Sequence, residues 1–235
     1  MITKTFFTER KGEINAYFDF LENVVVNKAK LIINKPIKSS RAHKKVEIDI
    51  EIDLTHTLKA NGFLLMYNLV EATLSAAIEE IHDCICADDH LGADELVESL
   101  TTQAISRVNK NIETSSPISK SILQHWIDDH KSKVLQNKNP LFNGNVDGRV
   151  IKEVAKIYGF SADARGKTAK NGTTLVKVKT KRNELAHGKI SFSDCGRDIS
   201  IDELNQIQKE VIAYLEKILN NIEDYIENKS YLRTA

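Results

Sequence analysis

Between Leu204 and Ile226 an apolar side chain returns every three or four residues: Leu204, Ile207, Val211, Tyr214, Leu215, Ile218, Leu219, Ile222, Tyr225 and Ile226. A helix gathers these positions into one stripe, whereas a strand would scatter them over two faces. Ser200-Ile201-Asp202-Glu203, just upstream, reads as a capping box that starts the helix. So long a stripe needs other helices to cover it. The natural cover is Thr57–Ile85, where Leu58, Phe63, Leu64, Leu65, Met66, Leu69, Val70, Leu74, Ala77, Ile78 and Ile81 leave little polar circumference. Such a segment belongs at the centre of a bundle, with Asn61, Asn68 and Glu71 expected to satisfy internal hydrogen bonds or meet a neighbouring helix. These two stretches make the chain all-α.

The remaining segments extend that reading. Phe6 to Lys30 predicts a first helix, with Ile14, Tyr17, Phe18, Leu21, Val24 and Val25 on one face and Lys28 and Lys30 at its C-terminal end. Pro36, Ser39 and Ser40 mark a loop. Val46–Leu54 alternates strictly, the pattern of a half-buried strand whose acidic side faces water. The other extended-looking piece is Ile190–Ile201, which leaves room for a short two-stranded ribbon. Ala93–Arg107 reads as a helix, and Ser116-Pro117 supplies an N-cap and first-turn proline for another, bearing Ile118, Ile122, Leu123, Trp126 and Ile127. Asn137–Gly148 is a loop, Asp147 caps a helix from Gly148 to Tyr158, and Gly159 stops it. Ala164–Gly172 reads as an exposed, mobile basic loop, and Thr174 opens the next helix. No repeat or low-complexity segment divides the chain, which predicts a single helical domain over residues 1–235.

The formal net charge is zero, so no global basic field announces nucleic acid. The charge is nevertheless segregated. Glu47 to Glu98 holds thirteen acidic residues and one basic residue, Lys59; Arg149 to Lys189 holds eleven basic and three acidic. Either the blocks pair within the fold or across a dimer, or the basic block meets phosphate. Three cysteines without a CxxC motif argue against a disulfide framework and suit a reducing, cytoplasmic setting. The N-terminus does not read as a signal peptide, and no apolar run approaches a membrane span. His82, Cys84, Cys86 and His90 lack common zinc spacing, and His125 and His130 read as surface groups, so no metal site is expected. No phosphate-binding glycine loop or nucleophile elbow is present, and no cofactor is expected.

The remaining chemical candidate is Arg182-Asn183-Glu184-Leu185-Ala186-His187-Gly188, read as the last two turns of a helix with Gly188 as its C-terminal stop. Asn183 and His187 are i and i+4 and share a face, and the long Arg182 side chain can bend toward it. A guanidinium, an amide and an imidazole could then converge on one anionic group. An arginine followed closely by a histidine is common by chance, so this spacing alone decides nothing.

The wider pattern carries more. Lys181–Gly188 resembles the signature of the HEPN superfamily, an arginine, commonly followed by a polar residue, with a histidine four to six residues after the arginine. Lys59–Leu65 with Asn68–Ala72, Gly144–Asp147, Tyr158–Phe160, Ser191-Phe192 and Gly196-Arg197 resemble a bacterial subgroup linked to defence and toxin-like loci. The likeness runs from the central helix onward and leaves residues 1–55 uncovered. It implies a helical bundle with extra helices that forms a homodimer, the two motifs facing across a cleft. It also implies a metal-independent endoribonuclease cutting RNA by 2′-hydroxyl transesterification, with Arg182, Asn183 and His187 catalytic. Lys179, Lys181 and Lys189 suit RNA backbone contacts and a solvated lysine face equally well. A toxin role implies an antitoxin or other regulatory protein. The competing readings are a non-catalytic module that binds RNA, a nucleotide or a protein, and a structural dimer in which Arg182 pairs with Glu184 or another carboxylate.

Overall fold

The computed structural model describes residues 1–36, 43–88, 90–106, 118–136, 141–142 and 144–233. Its axis is helix α2 (Ile52–Cys86), 35 residues long. Helix α1 (Ile2–Val25) and helix α8 (Ile201–Glu227) lie against it and against each other. The three come together at Gly62, where an added Cβ would lie 3.3 Å from both Phe18 and Leu204. The apolar stripe of α8 is buried along its length, with Leu204, Val211, Tyr214, Leu215, Ile218 and Ile222 fully enclosed. Removing any one of these aliphatic side chains to alanine would cost about 2–5 kcal/mol. Polar groups tie the helices at their ends. The Glu80 carboxylate of α2 accepts from the Ile2 and Thr3 amides at 2.7 and 2.8 Å, satisfying the open N-terminus of α1.

Around this core stand α3 (Glu98–Ser106), α4 (Ile118–Leu135), α5 (Gly148–Tyr158), α6 (Thr174–Ala186) and the short α7 (Phe192–Arg197). Several ends lie where local chemistry places them. Asp147 caps α5, and Gly159 ends it in the left-handed region at φ 90°. Ser200 caps α8 by accepting from the Glu203 amide. Helix α6 begins at Thr174. The Ala93–Arg107 segment divides into a 3₁₀ turn at Ala93–Glu95 and α3. Ser39, Ser40, Arg107 and the Ser116-Pro117 pair lie outside the described residues.

Three expectations need correcting. First, the ribbon has a different partner. Its strands are β1 (Lys30–Pro36) and β2 (His43–Asp49), antiparallel, with Lys30 opposite Asp49 and Ile33 opposite Val46. The first helix stops at Val25, and Lys28 then takes a positive φ of 49°, which turns the chain into β1. Ile52 and Leu54 already belong to α2. Ile190–Ile201 forms no strand: Ser191 accepts from the Asp194 amide and starts α7, which packs on the N-terminal turns of α2.

Second, the basic Ala164–Gly172 loop is anchored. Ala164 and Ala169 are buried, Gly172 sits on the Tyr214 ring, and Lys170 pairs with the buried Glu210. Arg165 and Lys167 are exposed, while Lys170 and the small residues hold the loop in place. Third, His130 is buried. It meets His82 edge-on at 4.6 Å, beside Trp126 and Tyr158. Burial pushes the His82 ring down to about 3, and its Nε2 lies 2.8 Å from the Tyr158 hydroxyl. That pair belongs to the core. Cys84, Cys86 and Cys195 are free thiols.

The seating of α7 gives a sharp test. A Cβ at Gly196 would lie 1.8 Å from the His56 carbonyl oxygen. Backbone cannot yield as a side-chain tip does, so Gly196→Ala must lift α7 off α2. The expected loss is about 1–3 kcal/mol in denaturant unfolding, the usual range for forced overpacking.

Candidate active site around Arg182 and His187

Helix α6 ends in a complete Schellman arrangement. The Gly188 amide bonds to the Leu185 carbonyl at 3.1 Å, and the Lys189 amide bonds to the Glu184 carbonyl at 2.8 Å. Gly188 adopts φ 63°, which a side-chain-bearing residue rarely takes. His187 is therefore the C-cap, just past the last helical residue Ala186, with φ −95° and ψ 6°, and its ring is exposed. The helix C-terminus favours positive charge there.

Arg182 lies one turn and more upstream and points elsewhere. Its guanidinium carbon stands 4.4 Å from the centroid of the Tyr67 ring on α2. Its Nη1 donates to the Gly144 carbonyl at 3.2 Å and to Asn183 Oδ1 at 2.8 Å. Asn183 Nδ2 donates to Asn145 Oδ1 at 3.0 Å. Asn183 thus bridges the arginine to the segment before α5. No hydrogen bond joins the His187 ring to Arg182 or Asn183 among the described residues. The single-chain convergence expected from helix spacing is replaced by a fixed guanidinium and a separate, open imidazole. The cause is competition: the aromatic face, the Gly144 carbonyl and the Asn183 amide offer Arg182 three partners on the loop side.

The segment 144–149 that receives Arg182 is held from several directions. Glu71 accepts from the Gly144 amide at 2.9 Å. The Tyr67 hydroxyl accepts from the Val146 amide at 3.1 Å. Burial pushes that phenol up to about 12, so it stays neutral. Gly144 has φ 81°, and a Cβ there would lie 3.4 Å from the Arg182 guanidinium. Asp147 caps α5, accepts from Arg149, and pairs with Lys179 of α6. Three cations, Arg149, Lys179 and Arg182, therefore converge on six residues.

The lysines separate by role. Lys179 is tied to Asp147, and Lys181 pairs with Glu184 at 2.9 Å. That pairing leaves Glu184 with Lys181 and Arg182 with its ring and amide partners. Lys189 is exposed, one residue beyond the stop glycine. Among the described residues no ion pair joins the acidic block 47–98 to the basic block 149–189 within one chain. The basic carboxylate partners lie instead at Asp147, Asp163, Glu184, Glu203 and Glu210.

The family model described as MAE_28990-like HEPN matches residues 4–231. The chain is a HEPN protein. The match takes in α1 and the ribbon, the part that the motif-level resemblance left uncovered. No match was found among curated proteins or solved structures. HEPN domains are generally nuclease- or RNA-related. No described helix of this HEPN protein is long and apolar enough to cross a membrane.

Glu71 satisfies an internal hydrogen bond, as its place in the central helix predicts, at the Gly144 amide, whereas sequence reasoning missed Tyr67. The signal was present in outline. Tyr67 and Glu71 are i and i+4 on α2, so they share a face. Nothing local showed that this face meets residues 144–146. Tyr67→Phe should remove the acceptor for the buried Val146 amide at a cost of about 1–3 kcal/mol, while the ring still supports Arg182. A larger loss of RNA cleavage than of stability in that variant would show that the hydroxyl acts through the loop on Arg182.

Proposed function

We propose that this HEPN protein is a metal-independent endoribonuclease, active as a homodimer, in a toxin or defence role under the control of a partner protein. The observation that carries the reading is the division of labour along α6. Arg182 is fixed by Tyr67, Gly144 and Asn183 through its ring face and one nitrogen, Nη1. Its Nη2 and Nε donate to no described protein group and are free for phosphate oxygens. His187 stands exposed at the helix end.

The reaction needs two proton carriers. The RNA 2′-oxygen bonds to phosphorus as its proton passes to one imidazole. The bond from phosphorus to the 5′-oxygen breaks as that oxygen takes a proton from a second imidazole. The products carry a 2′,3′-cyclic phosphate and a 5′-hydroxyl. One motif supplies one histidine, so two copies of His187 about a twofold axis supply base and acid. Arg182 balances charge on the non-bridging oxygens. Asn183 fixes Arg182. Lys189 and Lys181 are the RNA backbone contacts, and Lys179 serves the same surface through Asp147.

The test is incubation of the purified protein with total and transfer RNA in EDTA. The expected result is cleavage with cyclic-phosphate and 5′-hydroxyl ends. Products with 5′-phosphates, or cleavage abolished by the chelator, would overturn the mechanism. One observation favours the binding-module alternative: no described group orients the His187 ring within one chain. On that reading RNA is retained without cleavage, and retention falls steeply with salt.

A further inference from the structure

We infer that the outer edge of β2 is a homotypic docking surface, through which two copies of this chain join their ribbons antiparallel about a twofold axis at Val46. This surface is distinct from the His187 cleft, and the inference holds whether or not RNA is cut.

The ribbon's exposure is unusual for its composition. Leu31 is 49%, Ile33 39% and Ile48 36% exposed. Leu31 stands opposite Ile48, and Ile33 opposite Val46, so these four share one face of the ribbon. Apolar Val26 and Ile52 at its root are 52% and 71% exposed. Among the described residues no third strand pairs with β2, and an open strand edge beside an exposed apolar face is a template for another strand.

Charge selects both edge and occupant. Strand β2 reads His43-Lys44-Lys45-Val46-Glu47-Ile48-Asp49: basic in its first half, acidic in its second. Antiparallel pairing with its own copy therefore sets base against acid. With Val46 on the axis, Lys45 faces the second copy's Glu47 and His43 faces its Asp49, each twice. Val46 meets Val46, and Lys44 lies beside Ile48. Moving the axis to Glu47 would oppose two glutamates. Moving it half a step would set apolar against polar side chains and break the shared face. Parallel pairing would set like against like. Strand β1 has no such self-complementarity: its charges are Lys30 and Lys35, with no acid, and Pro36 lacks an amide donor. Lys30 pairs with Asp49 inside the ribbon at 3.1 Å, but the Asp49 side chain remains 84% exposed and reachable. RNA would use the ribbon's lysines but leave its apolar face and its acidic half without a role.

The ribbon also leaves the bundle at a telling place. Its root runs into the N-terminus of α2, where Ser193 of α7 donates to Asp53 at 3.0 Å. Helix α7 directly follows the motif. A copy held by the ribbon is therefore held at the end of the bundle where α6 finishes.

The test reads cross-linking in the absence of RNA. In the full chain carrying Cys84→Ser and Cys86→Ser, Val46→Cys places a thiol on the axis. Directly opposed residues stand about 4.5–5.5 Å apart between Cα atoms, within disulfide reach. Mild oxidation should give a covalent dimer. Ile48→Cys is the control, because its two copies would stand about 13 Å apart at ~3.3 Å per residue and should not link. Adding Lys45→Glu to Val46→Cys should slow linking at least about fivefold, since two attractive pairs become repulsive. Adding Glu47→Lys as well exchanges the charges and should restore it. Equal linking by both cysteines, or none by Val46→Cys with the helical spectrum intact, would overturn the inference. So would unchanged linking with Lys45→Glu; if that variant also weakened RNA retention, the ribbon would be a nucleic-acid surface. RNA cleavage, scored separately, can fail without touching any of these outcomes.

Discussion

His187→Ala is expected to lower RNA cleavage by about 10²–10⁴-fold, the usual contribution of a positioned acid or base, while leaving the fold as it is. The structure makes this variant a clean probe. His187 is exposed at the end of α6, and its ring makes no hydrogen bond to Arg182 or Asn183. Its backbone bond to the Asn183 carbonyl and the Gly188 turn beyond it do not need the imidazole. Stability should change by less than about 0.5 kcal/mol, as for a surface substitution. Arg182 is a poor probe by comparison. Removing it takes away the charge on the phosphate and also frees the Gly144 carbonyl and the Tyr67 face, so lost activity and a loosened loop would be confounded. A mixed dimer sharpens the test. If both copies of His187 serve one phosphate, a dimer with one native and one His187→Ala subunit should be nearly as inactive as the double variant. Half of native activity would mean that each subunit works alone. If His187→Ala cuts RNA as fast as the native protein, the proposed roles fail.

The parts that could be read in the sequence are those governed by neighbours in the chain. The Asp147 cap, the Gly159 stop, the Ser200 cap and the Gly188 turn depend on bonds spanning no more than about six residues, and each lies where its residue type placed it. The stripe of α8 was legible for the same reason: 3.6-residue periodicity is local. The ribbon partner was not. β1 reads Lys-Leu-Ile-Ile-Asn-Lys-Pro, without strict alternation, and strand pairing is settled by which segments the turn brings together. The acidic and basic blocks were visible, but their pairing was not, because Lys179 reaches Asp147, 32 residues away, and avoids the acidic block altogether. At the candidate site the sequence supplied Arg182, Asn183 and His187 as residue types. It did not supply the direction of Arg182, which depends on Tyr67, 115 residues earlier, and on the Gly144 carbonyl, 38 residues earlier. Helical spacing predicts which side chains share a face; it is silent about a long side chain offered an aromatic ring and two oxygens elsewhere.

Asp147→Asn should destabilise the protein by about 3 kcal/mol at neutral pH, the low end of what breaking a buried ion pair costs. The low end applies because the Lys179 side chain keeps 17% exposure, whereas that of Asp147 keeps 1%. Burial alone would raise the Asp147 carboxyl. Lys179, the Val150 and Arg149 amides and the Arg149 side chain outweigh it and hold the group at about 2, against an ordinary 3.8. A carboxyl lowered on folding contributes stability that is complete above its unfolded value and lost as pH falls through its folded value. The gap between native protein and Asp147→Asn in urea unfolding should therefore be full at pH 7, begin to shrink below about pH 4, and close toward pH 2. Asparagine still serves as an N-cap for α5, so the variant isolates the ion pair; Asp147→Ala should lose about 1 kcal/mol more. The effect should also reach the site. Asp147 anchors the segment whose Gly144 carbonyl and Asn145 amide hold Arg182 and Asn183, and Lys179 lies on α6 less than one turn before Arg182. Freeing Lys179 and slackening residues 144–147 would let the guanidinium wander from its place over Tyr67. Cleavage by Asp147→Asn should then fall under conditions where the variant is still fully folded. If stability falls as expected and folded-state cleavage does not, the segment is a strut for α5 alone and Arg182 is held by Tyr67 without it.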